Sequence, residues 1–233
     1  MKIEEAIAIV AGFFNDLIGA WVPGAVFAVG FGLMHLGPAR LQAILNLLDS
    51  SAAALTAAGL LFALGHVLLA VHEHGVKKLL TWIRISSKFD DSKAKKRLSY
   101  VRFSDLINTS QTDSGPADWD YKDLRSVALS VSSEAASIGR RFTFVSLLCN
   151  GIGTALSIIA IDFAVCHLVS PKLLYSYDHA APWFVQVLLF FGVAVTLFKQ
   201  GEVFYSRAMT TPFSIAVAEL KLKKDANVNT PTS

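Results

Sequence analysis

The sequence predicts an all-α membrane protein that crosses the bilayer four times and carries helical extensions in its loop and tail. Three observations predict it. First, 53% of the 233 residues are hydrophobic and 17% are charged, where a soluble domain carries about 25% charge; the mean hydropathy is +0.49. Second, the apolar residues gather into nearly charge-free blocks of about twenty, which is what roughly 30 Å of hydrocarbon demands of a helix rising about 1.5 Å per residue. Third, four spans place 19 of the 21 Lys and Arg residues on one side.

Residues 1–17 precede the first block. Ile3, Ile7, Val10, Phe14 and Leu17 recur at helical spacing, with Glu4, Glu5 and Asp16 between them. This pattern predicts an amphipathic helix on the cytoplasmic interface, or else the start of one long tilted span. Glu4, Glu5, Asn15 and Asp16 interrupt what a secretory leader would keep basic or apolar, so no signal peptide is expected. The first two spans occupy residues 18–71. The first runs from Ile18 to Leu36, with Trp21 at headgroup depth and Pro23-Gly24 able to bend it. A connection over 37–50 leads to the second, Ser51 to Val71.

Residues 72–141 form a polar loop holding 13 of the Lys and Arg residues. Within it, VKKLLTWIRI at 76–85 suits a helix lying on the membrane surface. The cluster Lys93, Lys95, Lys96 and Arg97 is placed to meet anionic lipid or a partner. Residues 112–120 read as a turn, and the breaker-poor stretch from Tyr121 to Arg141 predicts one helix running straight into the third span. Spans three and four occupy 142–200, separated by a short turn around Pro171. The tail 201–233 begins as an amphipathic helix and ends in eight residues expected to be disordered. The charge bias puts the loop and both termini in the cytoplasm.

Polar groups inside apolar spans are costly and draw attention as functional candidates. His66 and Asn150 are expected at similar depth, close enough to hydrogen-bond. Asp162 lies in the outer part of the third span, near the level of His35 and His167. These three, His66, Asn150 and Asp162, are the candidates for a pore or proton path; a structural pairing is the alternative for each. Ala20, Gly24, Ala28 and Gly32 recur every four residues and form a small-residue face for close helix packing, within the chain or between copies.

His72-Glu73-His74 lacks the spacing that puts two histidines on one helix face, so it reads as a polar cap and no metal site is expected. Cys149 and Cys166 share one span and read as small buried hydrophobes, not as a disulfide. There is no nucleophile elbow, no phosphate loop and no dinucleotide fingerprint, and nothing marks out Ser146 or Ser157. The expectation is therefore a non-enzyme without cofactors. Nucleic acid is not an expected ligand, because few aromatics accompany the basic cluster.

The stretches FFNDLIGAWVPGAVFAVGF and SSEAASIGRRFTFVSLL, with their Pro23-Gly24 element, resemble small bacterial four-span inner-membrane proteins. Some of these are membrane subunits of anti-phage defence systems, such as the membrane subunit of Kiwa. The resemblance implies a multi-pass component of the bacterial inner membrane that acts with a cytoplasmic protein partner. Together with the small-residue face, the expected function is a non-enzymatic, homo-oligomeric sensor or effector subunit able to alter permeability. The alternative is an oligomeric ion channel or small transporter.

Overall fold

A computed structural model describes residues 3–86, 89–110, 119–177 and 180–228, with side chains described from residue 17 to residue 222, Ser110 excepted. All the regular structure in these residues is helical. Four helical stretches are long and apolar enough to cross a bilayer: Leu17–Asp49, Ser51–Trp82, Ser133–Val169 and Trp183–Leu222. The chain is an all-α, multi-pass membrane protein. It divides into two compact units, one drawn from the described residues of 1–87 and 144–202, the other from those of 88–143 and 203–233.

The first unit begins with α1 (Ile3–Asn46). Its backbone is helical from Ile3, so no break separates the expected interfacial segment from the first span. The break comes at Gly37, where φ is 76° and ψ 170°, a conformation open to glycine and strained for a residue with a Cβ. Pro38 follows, and the helix resumes through Asn46 within the stretch 37–50 where the sequence suggested a short connection. Pro38 has no N–H, which leaves the Met34 carbonyl four residues back without its helical donor. The Tyr175 backbone N–H donates to it instead, at 2.9 Å. Beside it, the Tyr177 hydroxyl donates to the Leu33 carbonyl at 2.7 Å. The Tyr175 ring lies over Gly37, where an added Cβ would come within 2.3 Å of Cδ2. The connection after the third span is thereby clamped onto the break in α1.

Ser50 caps α2 (Ser51–Val71), its Oγ accepting the Ala53 N–H at 3.2 Å. The helix does not stop at His72, where the end of this span was expected, and the helix expected over 76–85 is present over residues 77–82 as its direct continuation. A π turn over His72–Val76 carries the helix directly into α3 (Lys77–Trp82), and the Lys77 N–H donates to the His72 carbonyl five residues back.

The second unit holds α4 (Asp91–Lys95), α5 (Leu98–Ser110) and α6 (Tyr121–Val131). To these it adds the first part of α7 (Ser133–Val169) and the last part of α8 (Trp183–Val228). It has its own core of Phe103, Tyr121, Leu124, Ala128, Phe213 and Ala216, each at most 1% exposed. Tyr100 stacks on Tyr121 at 5.4 Å and 7°, and Phe213 meets Tyr121 edge-on at 5.4 Å. Aromatic pairs of this kind add about 0.5–1.5 kcal/mol each to the area they bury. The expected uninterrupted helix from Tyr121 into the third span is broken at Ser132, which is extended (φ −127°, ψ 115°). The Ser132 side chain, fully buried, accepts the Ala135 N–H at 3.1 Å and so starts α7 as an N-cap. The expected turn over 112–120 falls outside the described residues up to Asp118. In the tail the helix continues to Val228, three residues into the stretch expected to be disordered; residues 229–233 lie outside the described ones.

Pro212 sits inside α8 and is fully buried. It orphans the Ala208 carbonyl as Pro38 orphans that of Met34. Here the donor is Arg125, whose Nε reaches Ala208 O at 3.1 Å. The Tyr121 hydroxyl donates to the next carbonyl, Met209 O, at 3.0 Å. Burial pushes the Tyr121 phenol up to about 12, so it remains a donor at any physiological pH. The expected outcome of Arg125→Met is a melting temperature lower by several degrees, matching the loss of about 1.5–3 kcal/mol for a hydrogen bond from a charged donor. In a Pro212→Ala background the same substitution should cost less, because residue 212 then supplies its own N–H to Ala208. Thermal unfolding of the four proteins in mild detergent measures this coupling. Equal losses in both backgrounds would contradict the pairing of Arg125 with the proline.

Candidate functional site

The polar groups of the spans do not converge on one path. His66 is exposed on α2, with its ring edge-on to Phe62 at 4.4 Å. Asn150 faces α8 at Gly201, where an added Cβ would lie 2.4 Å from Asn150 Oδ1. The expected hydrogen bond between His66 and Asn150 does not form among the described residues. The Ser146 hydroxyl donates to the Gly201 carbonyl at 2.8 Å, so the same glycine receives both side chains. His72, expected as a headgroup-level cap, is buried at 5% exposure inside the π turn. Its Nδ1 lies 3.2 Å from Thr154 Oγ1, and its ring stacks on Phe198 at 5.4 Å. Glu73 pairs with Lys77 at 2.8 Å and His74 Nδ1 lies 2.9 Å from the Ala70 carbonyl, so this triplet makes no common site.

Asp162 is the residue that gathers others. Its Oδ2 lies 2.7 Å from His35 Nε2, with 16% of the His35 side chain and 32% of the Asp162 side chain exposed. His35 Nδ1 lies 2.9 Å from the Leu173 carbonyl, on the connection that Tyr175 and Tyr177 clamp to α1. One turn along α7, Cys166 sits half-buried with Sγ 3.8 Å from Asp162 Oδ1. Among the described residues, His35, Asp162 and Cys166 are the group whose potential ligand atoms approach one another within 4.8 Å. The sequence placed His35 and Asp162 at one level but offered His167 equally; His167 instead stacks on Trp183 at 5.2 Å. Cys166 was readable as the residue four after Asp162, on the same helix face. Leu173 was not readable, since a backbone carbonyl carries no side-chain signal.

The small-residue face is occupied from within the chain. Ala20 is 1% exposed, and Gly24 and Gly65 bring α1 and α2 into backbone contact. An added Cβ on Gly24 would lie 2.0 Å from the Leu61 carbonyl oxygen, and one on Gly65 would lie 1.6 Å from that of Ala20. Gly32 is covered by Leu41, folded back beyond the Gly37 break, and Ala28 is half-buried. Of the four positions, then, Ala20, Gly24 and Gly32 are not free to meet a second copy. Pro23 is fully buried too, in room that Gly151 leaves on α7.

The basic cluster lies on the second unit, with all four of its residues exposed. Ala94, buried among them, anchors α4 to the core of that unit. Asp90 caps the helix, its Oδ1 accepting the Lys93 N–H at 3.1 Å; hydrogen bonds from the Ser92 hydroxyl and the Lys93 amide hold its carboxyl below the usual range. Lys93 also reaches Asp90 at 3.7 Å, and Arg97 Nη1 donates to Thr210 Oγ1 at 3.2 Å. Lys95 and Lys96 are exposed and present their charge to solvent.

Comparison with protein-family models, with curated proteins and with solved structures gives no match to this chain. For the small-residue face, the expected outcome of Gly65→Ala is a loss of stability of about 1–3 kcal/mol from overpacking against the Ala20 backbone. Gly59→Ala, on the same helix in open space, should leave stability unchanged or raise it slightly. Melting temperatures in detergent separate the two; equal behaviour would contradict the α1–α2 contact.

Proposed function

We propose that this protein is a non-enzymatic sensor or effector subunit of the bacterial inner membrane, with both termini and the basic loop in the cytoplasm, acting through a cytoplasmic protein partner. The observation that carries the reading is the second unit. A loop of this length serving only to join two spans has no need of a core, yet residues 88–143 combine with the tail to bury Phe103, Tyr121, Leu124 and Phe213. A folded module attached to apolar spans is a recognition device in its simplest use. Its exposed side adds chemistry to that use: Leu98 (62% exposed) and Val101 (43% exposed) on α5 stand beside Arg102 of the same helix and Arg97 just before it. The bias of Lys and Arg toward this side supports the orientation. The resemblance to membrane subunits of anti-phage systems supports defence as the setting.

A second reading, an oligomeric channel, is favoured by His66. An imidazole exposed on an apolar span is costly against lipid, and a second copy or a water-filled path would satisfy it. Assembly would then use the α2 surface around His66, because the small-residue face is already filled.

The experiment is the mass of the intact full-length protein purified in mild detergent from its native host. A homo-oligomer carrying a cytoplasmic protein is the expected result. A bare monomer with no co-purifying protein would remove both readings. A homo-oligomer alone would move weight to the channel, and ion flux in liposomes would then drop with His66→Leu; flux unchanged by that substitution would eliminate the channel.

A further inference from the structure

We propose that His35, Asp162 and Cys166 form a binding site for a divalent transition-metal ion of the zinc class, with one coordination position left open. The inference does not depend on the sensor reading; it rests on the donor set, its spacing and the hydrogen bond that holds His35.

The donors are an imidazole nitrogen, a carboxylate and a sulfur, all within 4.8 Å of one another. Zinc takes such ligands at about 2.0–2.3 Å in tetrahedral array, which places ligand atoms roughly 3.3–3.7 Å apart. The Cys166 Sγ to Asp162 Oδ1 separation of 3.8 Å already fits. The His35 Nε2 to Asp162 Oδ2 separation of 2.7 Å is shorter, and a small rotation of the carboxylate opens it. A thiolate and an imidazole together disfavour magnesium and calcium, which take oxygen ligands, and favour zinc, cobalt and their neighbours.

The second observation is the far side of the imidazole. His35 Nδ1 faces the Leu173 carbonyl at 2.9 Å, which can only accept. Nδ1 therefore carries a hydrogen and donates it, as metal-bound histidines commonly do through their second nitrogen. This leaves Nε2 pointing its lone pair at the Asp162 carboxylate, another acceptor. At 2.7 Å the two atoms share a proton, and a metal ion takes that proton's place once the carboxylate has rotated to open the distance. With the metal, a doubly charged cation meets the Asp162 carboxylate and a Cys166 thiolate and the site is neutral; the ion displaces the proton shared by His35 and Asp162 and that of the thiol. Neutrality matters in an apolar span, where unbalanced charge is costly. The fourth position is available to water or to an incoming ligand.

The frame is fixed before any ion arrives. Asp162 and Cys166 are one turn apart on α7, and His35 precedes the Gly37 break that Tyr175 and Tyr177 clamp. The other histidine cluster in the chain, His72 with His74, offers no such convergence.

The test is cobalt titration of the full-length protein in mild detergent, after stripping with a chelator. The expected result is a thiolate-to-cobalt charge-transfer band that saturates at about one ion per chain, with the intense visible bands of four-coordinate cobalt. Zinc should abolish the band, and magnesium and calcium should not. Cys166→Ser, a change of one atom, should remove the charge-transfer band, and Cys149→Ser should keep it. Asp162→Asn should weaken binding by at least about 10-fold. Absence of the band in folded wild-type protein, its persistence in Cys166→Ser, or its loss to magnesium or calcium would overturn the proposal.

Discussion

A proline inside a helix deprives the carbonyl four residues earlier of its donor, and a chain that buries its helices must find another. This constraint organises both units. At Pro38 the Met34 carbonyl is answered by the Tyr175 backbone. At Pro212 the Ala208 carbonyl is answered by Arg125. A buried acceptor left alone costs about 1–3 kcal/mol, comparable to a large core defect. In each case the donor comes from a segment distant in sequence, so satisfying one oxygen also fixes a tertiary contact. The first contact docks the connection at 170–177 on the end of α1, and that docking delivers the Leu173 carbonyl to His35. The second joins the loop to the tail and so holds the second unit together.

Where no polar group needs an answer, helix contact rests on the removal of side chains. Lipid offers apolar side chains as good an environment as a neighbouring helix does, so close packing has to supply the attraction. Gly24 and Gly65 let α1 and α2 meet backbone to backbone, and Gly151 makes room for Pro23. Gly201 does the same for α8, and there the approach also serves polarity, because it lets Ser146 reach a main-chain carbonyl. Small residues and intramembrane polar residues are thus parts of one device in this chain.

The four spans were legible because they follow from composition over windows of twenty residues, and charge partition is a sum that tolerates local error. Element ends were less legible. Ser132 lies in the run Ser130-Val131-Ser132-Ser133, which holds no proline or glycine, and only its capping hydroxyl marks the break between α6 and α7. The π turn at His72 has no sequence signature that distinguishes it from a helix end. The core of the second unit was missed for a different reason. Its halves are separated by two spans, and residues such as Tyr121 and Met209, 88 positions apart, show no periodicity that relates them. The pairing of Asp162 with His35 was half legible, since depth can be counted along two helices but rotation about their axes cannot.

The distribution of polar contacts bears on what the spans do. Asp162 faces His35, Asn150 faces Gly201, and His72 faces Thr154. Asp162 and His72 each meet a side-chain partner at their own depth, and Thr154, the partner of His72, also donates to the Asn150 carbonyl. A conducting route needs groups that are available to a passing ion or proton, and partners already engaged are poor candidates. His66 alone of the proposed pore residues faces outward, so any path would lie between copies and not through one. The second unit presents the opposite balance: an interior closed by aromatic stacking and an exterior of exposed lysines and aliphatics. That division, with the spans inwardly satisfied and the module outwardly available, supports recognition at the module over transport through the spans.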